Sequence, residues 1–336
     1  MATIKDVAKL AGVSPSTASR VLHGNPLISE KTQVKVRKAM VELNYSPDFN
    51  AQNLARKFSN NVGVILPVDQ AELFDNPFFL EIVRGINKVF TENKMMLTVG
   101  SGENISEVIV NIDTMIKSGN IKNFILLYSE VNDPVINKLE NENVNFVVVG
   151  KPSHNIANTM FVDNNNISCG EDATNFLLEN GHENICFIYS NLNQIVQKDR
   201  LKGYEQALFQ VGLEKNTLKE DFSNFSTGIQ HINNYLTTHK EITAFVAVDD
   251  IMGLRVEQAV NVNSQIARPI SVITFNNSLF SEIALPSLTT IEIYPEKLGE
   301  GAAELIVKCV KNKKERVHNM EVSHKIIERD SVTVNR

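Results

Sequence analysis

With 336 residues, 43% of them hydrophobic and 21% charged, the chain has room for two or three domains and the composition of an ordinary globular protein rather than a disordered or fibrous one. The net charge of −6 taken whole argues against nucleic acid, but it is unevenly spread: residues 1–60 hold nine Lys/Arg and four Asp/Glu, a balance of +5, which leaves −11 on the remainder. Three cysteines without CxxC spacing, Cys169, Cys186 and Cys309, point to reduced core thiols, and neither a signal segment nor an apolar run near the roughly 20 residues that span a bilayer is present, so a cytoplasmic protein is expected.

A helix is predicted over 4–11, with Thr3 as its cap and Asp6 in its first turn. Gly12-Val13 breaks it. Ser14 caps the next helix and Pro15 takes its first position, where a missing N–H costs nothing. Helix, short glycine turn, helix is the pattern of a helix-turn-helix DNA reader. Val7, Ala8, Ala11, Val13, Ala18, Val21 and Leu22 are expected to form its core, leaving Ser16, Thr17, Ser19 and Arg20 largely outside. A third helix is predicted over 30–43, capped by Ser29, with Val34, Val36, Ala39, Met40 and Leu43 as its apolar face. Residues 48–57 read as a helix too short and polar to be stable alone, and 59–61 as a linker.

From Val62 onward, apolar runs alternate with helical patterns. Strands are expected at 62–66, 95–99, 124–127, 146–149, 185–189, 244–248 and 270–275. Helices are expected to begin near Phe78, Ile105, Pro134, Asn166, Lys198, Gly228, Asp250 and Pro295. Continuous buried strands separated by helices mean parallel sheets in an α/β fold, and this many units suggest two sheets. Ligands in such sheets bind at the carboxyl ends of strands. There the chain offers Gly150-Lys151, Asp249-Asp250 and Asn276-Asn277, with a helix opening at Lys198-Asp199-Arg200. Carboxylates, amides and cations are the groups that bind the hydroxyls of a small polar ligand, and Phe74, Phe78 and Phe79 can stack on an apolar sugar face.

The run Thr3 to Ser14 (TIKDVAKLAGVS), followed by Ser19-Arg20-Val21-Leu22, resembles the head of the LacI/GalR transcription regulators. Further matches are Asn76-Pro77-Phe78-Phe79, Val162-Asp163-Asn164, Gly181-His182, Asp199-Arg200 with Gly203-Tyr204, and Pro286-Ser287-Leu288-Thr289-Thr290. Within the family the chain is most similar to the maltose-operon repressors of Gram-positive bacteria, through Phe74 to Phe79, Val149-Gly150-Lys151, the run KDRLKGYEQAL from Lys198 to Leu208, and His324 to Glu328.

The resemblance implies an all-α helix-turn-helix head at 1–57, including a hinge helix at 47–57. It also implies a core like the periplasmic sugar-binding proteins, with one parallel-sheet subdomain at 62–160 and 293–320 and the other at 161–291 and 322–336. It implies operator double-stranded DNA of near-palindromic sequence as partner, a homodimer, and no membrane. Pro15, Ser16 and Arg20 would read base edges in the major groove, with Arg20 able to fork onto guanine. Ser14, Thr17 and Ser19 would touch phosphates. Asn50, Ala51 and Leu54 would meet the minor groove, Leu54 as a wedge between base pairs. Gln52 departs from the arginine common before the hinge leucine. Phe78, Phe79, Lys151, Arg200, Asp249 and Asn276 fall at effector positions, the effector being a sugar, maltose or a maltodextrin, that releases the repressor from its operator. Asn276 stands where many members carry aspartate, and Gly150-Lys151 where Asp-Arg is common.

Two other readings of the residues compete. An enzyme would need a motif such as HExxH, GxSxG or GxxxxGK[ST], and none is present; the seven histidines include no i,i+4 pair, so neither a metal site nor a cofactor is expected. A free sugar-binding protein would not need the basic head. Within the family, a catabolite-control regulator with a phosphorylated carrier protein as co-repressor is the alternative.

Overall fold

The computed structural model describes residues 2–22, 25, 27–45, 60–68, 76–220, 225–262, 269–311 and 319–335. The predicted hinge at 47–57, with Asn50, Ala51 and Leu54, lies outside them, as does Phe74. The chain forms two units divided between residues 59 and 60.

The first unit holds α1 (Ile4–Ala11), α2 (Pro15–Leu22) and α3 (Glu30–Glu42). A reciprocal cap starts α1: the Thr3 N–H donates to Asp6 Oδ2 at 2.8 Å and Thr3 Oγ1 accepts from the Asp6 N–H at 3.4 Å. The Thr3 hydroxyl, donating to Asp6 Oδ2 at 2.7 Å, and the Thr3 N–H together hold the Asp6 carboxyl below its ordinary range. Gly12 stops the helix in the left-handed region, at φ +65°. Ser14 then caps α2, its Oγ accepting the Thr17 N–H at 3.1 Å. Ser29 forms no such cap. Val7, Ala8, Ala11, Ala18, Val21, Val36 and Ala39 make the core, with Met40, Leu43 and Tyr45 against it. Val34 is 60% exposed, contrary to expectation. At 100° per residue, a core face centred on Val36, Ala39 and Met40 puts Val34 on the opposite side.

The second unit contains two six-stranded sheets. In chain order its elements are β1 (Asn61–Ile65), α4 (Phe78–Glu92), β2 (Met96–Gly100), α5 (Ile105–Lys117), β3 (Asn123–Leu126), α6 (Pro134–Asn141), β4 (Asn145–Val149) and β5 (Met160–Asn164). There follow α7 (Asn166–Glu179), β6 (Ile185–Tyr189), α8 (Ile195–Gln210), β7 (Asn216–Lys219), α9 (Phe225–Thr238), β8 (Ala244–Ala247), α10 (Asp250–Val262), β9 (Ser271–Phe275), α11 (Leu279–Ile283), β10 (Thr289–Glu292), α12 (Pro295–Lys311), β11 (Asn319–Val322) and β12 (Lys325–Ile327). The first sheet runs β11-β5-β4-β3-β1-β2, every pair parallel. The second runs β12-β10-β9-β8-β6-β7, parallel except for antiparallel β12. Strands β3, β8 and β9 are buried throughout, as parallel strands covered by helices on both faces must be.

The chain crosses between the sheets three times, after β5, after β10 and after β11. Because β5 pairs with β4 and β11, the first crossing falls at 164–166, four residues beyond the expected 160/161 boundary. Asn164 ties all three crossings together: its Nδ2 donates to the Ile293 carbonyl at 3.0 Å and the Val322 carbonyl at 2.9 Å. Helices α7 and α8 meet at glycines. A Cβ on Gly170 would collide with the Arg200 carbonyl, and one on Gly203 with the Ile167 carbonyl. This contact fixes Arg200 against the second sheet.

Candidate functional site

A cleft opens where the carboxyl ends of both sheets face each other. Counting the open solvent at its mouth, it spans about 800 Å³. The first sheet contributes Asn76, Phe78 and Phe79 at the start of α4, Leu127 to Ser129 after β3, Val149-Gly150 after β4, and Asp163 at the end of β5. The second contributes Gln194, Val196, Gln197 and Arg200 around the start of α8, with Val248-Asp249 after β8 and Asn276 after β9.

Arg200 is the anchor of the polar wall. It is 4% exposed; its Nε donates to Asn166 Oδ1 at 3.1 Å and its Nη1 to the Val248 carbonyl at 2.7 Å. Its guanidinium carbon stands 4.1 Å from the centre of the Phe275 ring. Nη2 makes no protein hydrogen bond among the described residues, so one edge of the fork faces the cleft. Asp163 Oδ1 accepts from the Asn164 N–H and from Asn166 Nδ2, both at 2.9 Å. Burial pushes the Asp163 carboxyl up to about 7, against the pull of Arg200. Asp249 caps α10 by accepting the Met252 N–H at 2.7 Å, and burial raises it as well.

Asn276 is held at φ +103°, outside the common regions for a side chain of its type. Its amide has no protein partner among the described residues. Gln197 is fully engaged instead: Oε1 accepts the Ser190 and Asn191 N–H groups at 2.9 and 3.1 Å, and Nε2 donates to Ser190 Oγ and Gln194 Oε1 at 2.9 and 2.7 Å. Phe78 and Phe79 meet edge to face, centroids 5.2 Å apart. Phe79 is buried in the first subdomain, whereas Phe78 packs against both subdomain cores. A fixed cation, two carboxylates and a free side-chain amide stand beside an aromatic wall, groups able to bind a polar small molecule. Among the described residues no group of three or more His, Cys, Asp or Glu is placed to hold a metal ion.

Five of the six expected effector residues therefore share one cleft. Lys151 does not line it. Gly150, at φ +110°, turns the chain so that the Lys151 carbonyl accepts from Ser129 Oγ at 2.6 Å, while Nζ points to Asp199 Oδ2 at 3.9 Å in a neighbouring cleft. Asp250 also turns away, accepting from Thr274 Oγ1, from Thr290 Oγ1 at 3.0 Å and from the Ser278 N–H at 2.7 Å. Asn76, Tyr128, Ser129, Asp163 and Gln197 were not expected as lining residues. Asp163 ends a strand whose alternating pattern, Met160 to Asn164, lacks the apolar run that marked the others; recognising that strand would have nominated its carboxyl end.

In the head, Pro15, Ser16 and Arg20 are exposed along α2, whereas Thr17 and Ser19 are half-buried. The Ser14 hydroxyl is engaged by the Thr17 backbone and lies 2.8 Å from Ser16 Oγ and 2.9 Å from Thr17 Oγ1. Any phosphate bond from Ser14 must use its proton alone.

Residues 3–48 match the model of bacterial regulatory proteins of the lacI family, and residues 174–332 match the periplasmic binding protein-like domain. The chain is 33% identical to the HTH-type transcriptional regulator MalR of Staphylococcus xylosus, over 99% of this chain and 98% of that one. A solved structure described as a probable maltose operon transcriptional repressor of Staphylococcus aureus superposes with a TM-score of 0.75 at 26% identity, covering 82% of this chain and 98% of that one. The lac repressor dimer bound to operator shares the fold, with a TM-score of 0.83 at 22% identity over 99% of both chains.

Proposed function

The chain belongs to the LacI family of bacterial regulatory proteins, and on that premise we propose that it represses a sugar-utilisation operon in the cytoplasm and leaves its operator when maltose or a maltodextrin binds the cleft. The observation that carries the sugar reading is the cleft itself. Arg200 offers one free edge in a cleft that Asp163 and Asp249 also line, Asn276 offers both a donor and an acceptor, and Phe78 supplies an apolar face. Each hydroxyl of a pyranose needs such paired partners once water is excluded.

The DNA reading rests on the exposed face of α2 in a basic head. Arg20 can reach guanine, Pro15 can touch a thymine methyl, and Ser16 can bond to either a base or a phosphate. We assign the minor-groove contact to Leu54 with Asn50 and Ala51. The functional form is a homodimer. Exposed Val262, Leu279, Ile283 and Leu285, grouped around α10 and α11, supply an apolar face for a second copy. Sugar that prefers one arrangement of the subdomains shifts the dimer between states that can and cannot seat two heads on one operator.

A gel-shift titration tests this on DNA from upstream of the chain's own gene and its neighbours, with maltose, maltotriose, cellobiose and ribose in turn. Maltose or maltotriose should release the DNA. Release by cellobiose alone would reassign the sugar, and retention of DNA under every sugar would end the inducer reading.

A further inference from the structure

A second cleft adjoins the first and shares Asp163, Asn164 and Asn166 with it. Counting the open solvent at its mouth, it spans about 560 Å³. It is the cleft onto which Lys151 turns. Strands β5 and β11 form one side of it. In their parallel register Phe161 stands opposite Asn319, and Asp163 opposite Glu321. Alternation along each strand puts these four side chains on one face. Val162 and Val322 point the other way, into the core that α12 covers. Lys151 after β4, Asn165 at the head of α7 and Asp199 on α8 supply further lining groups.

Paired strands lie about 4.8 Å apart, so Asp163 and Glu321 hold like charges side by side, and such a pair repels. Asp199 brings a third carboxylate, with the Lys151 ammonium 3.9 Å away. The Asn319 and Glu321 side chains make no hydrogen bond among the described residues. Asn165 Oδ1 accepts the Ser168 N–H at 3.2 Å, while its Nδ2 bonds to no described residue. Phe161 packs in part against the α5/α6 core and stays partly open to the cleft.

These groups select a class of ligand. The carboxylates accept, so the ligand must donate. Lys151 and the two amides donate, so it must also accept, and Phe161 asks for an apolar face. Hydroxyls arranged around a sugar ring meet all three demands. An anion would meet three carboxylates, and among the described residues no group of three or more His, Cys, Asp or Glu is placed to hold a metal ion. We propose that the second cleft is a further saccharide site, in which Phe161 lies under the ring of a short neutral sugar while Glu321, Asn319 and Lys151 bond its hydroxyls. The site rests on the reading of the chain as a sugar sensor, but not on maltose as the sugar.

Equilibrium dialysis of the full chain against labelled maltose, cellobiose and ribose, each raised to about 10 mM, counts the sites. One of these sugars should bind at two equivalents per chain. Asn319 and Glu321 are exposed and line only the second cleft. Asn319→Ala/Glu321→Ala should therefore weaken one equivalent by at least about 10-fold and keep the other, with unchanged circular dichroism. Lys151→Gln, on a different element, should weaken the same equivalent, so the result does not hang on the folding of β11. Asn276→Ala should do the reverse, weakening the equivalent that the other variants keep.

A single equivalent for every sugar, weakened by Asn276→Ala, would leave the first cleft as the sugar site and overturn the second. Two equivalents that neither second-cleft variant changes would overturn it as well. A single equivalent lost in the second-cleft variants and kept in Asn276→Ala would uphold the second cleft and end the sugar reading of the first. No binding of any of the three sugars would overturn both.

Discussion

Glu257 is buried at 5% exposure on α10, and its Oε1 has no hydrogen-bond partner among the described residues. Burial alone pushes its carboxyl from an ordinary 4.5 up to about 7. A raised carboxylate costs nothing at pH values below its unfolded pKa, where it is protonated in both states. The cost grows as pH rises from the unfolded pKa to the folded one, where only the unfolded chain is ionised, and is constant above it. The expected outcome is that Glu257→Gln stabilises the protein by about 2 kcal/mol at pH 8 and has little effect near pH 4.5. Urea denaturation at the two pH values checks it, and a variant less stable than wild type at pH 8 would show that the carboxylate has a partner. Residue-scale chemistry was unevenly legible in the sequence. Asp249 follows from standing at a strand end, and Arg200 from the helix opening at Lys198-Asp199-Arg200 together with the family resemblance. Lys151 misled because a left-handed Gly150 decides where the next side chain points, and composition does not report a dihedral angle.

At the scale of elements, the crossings are the most constrained part of the fold, because one amide joins all three. Asn164→Ala removes two bonds to the buried Ile293 and Val322 carbonyls and leaves both without that partner. A loss of about 2–4 kcal/mol is expected. Thermal denaturation measures it, and Asn164→Asp, similar in size but without the donors, should fare no better than the alanine. A change below about 0.5 kcal/mol would mean that the crossings are held otherwise. Long central strands with unbroken apolar runs were legible, as were helices opening on Asn, Asp or Pro. The strands β5, β7, β10, β11 and β12 were not. They are three to five residues long and carry polar side chains, and β11 and β12 are end strands of their sheets, on either side of the third crossing. Their pairing partners, rather than their own propensities, make them strands.

For the whole molecule, charge is divided as function is divided. The +5 head meets a polyanion, while the −11 remainder carries a cleft suited to neutral hydroxyls. Operator affinity should fall by about three orders of magnitude between roughly 50 and 200 mM salt, while affinity for the proposed sugar effector changes less than about two-fold. Parallel titrations at several salt concentrations separate the two, and a salt-insensitive operator complex would contradict phosphate binding by the head. The sequence by itself determined the helix-turn-helix head, the two-sheet α/β core and five members of the cleft, because periodicity, caps and strand ends are local properties written in consecutive residues. Only the tertiary structure decided that Asp163 joins Arg200, that Asn164 binds three crossings, and that Glu321 stands opposite Asp163. Each of these depends on where distant segments meet, which the packing of two sheets sets and no local pattern encodes.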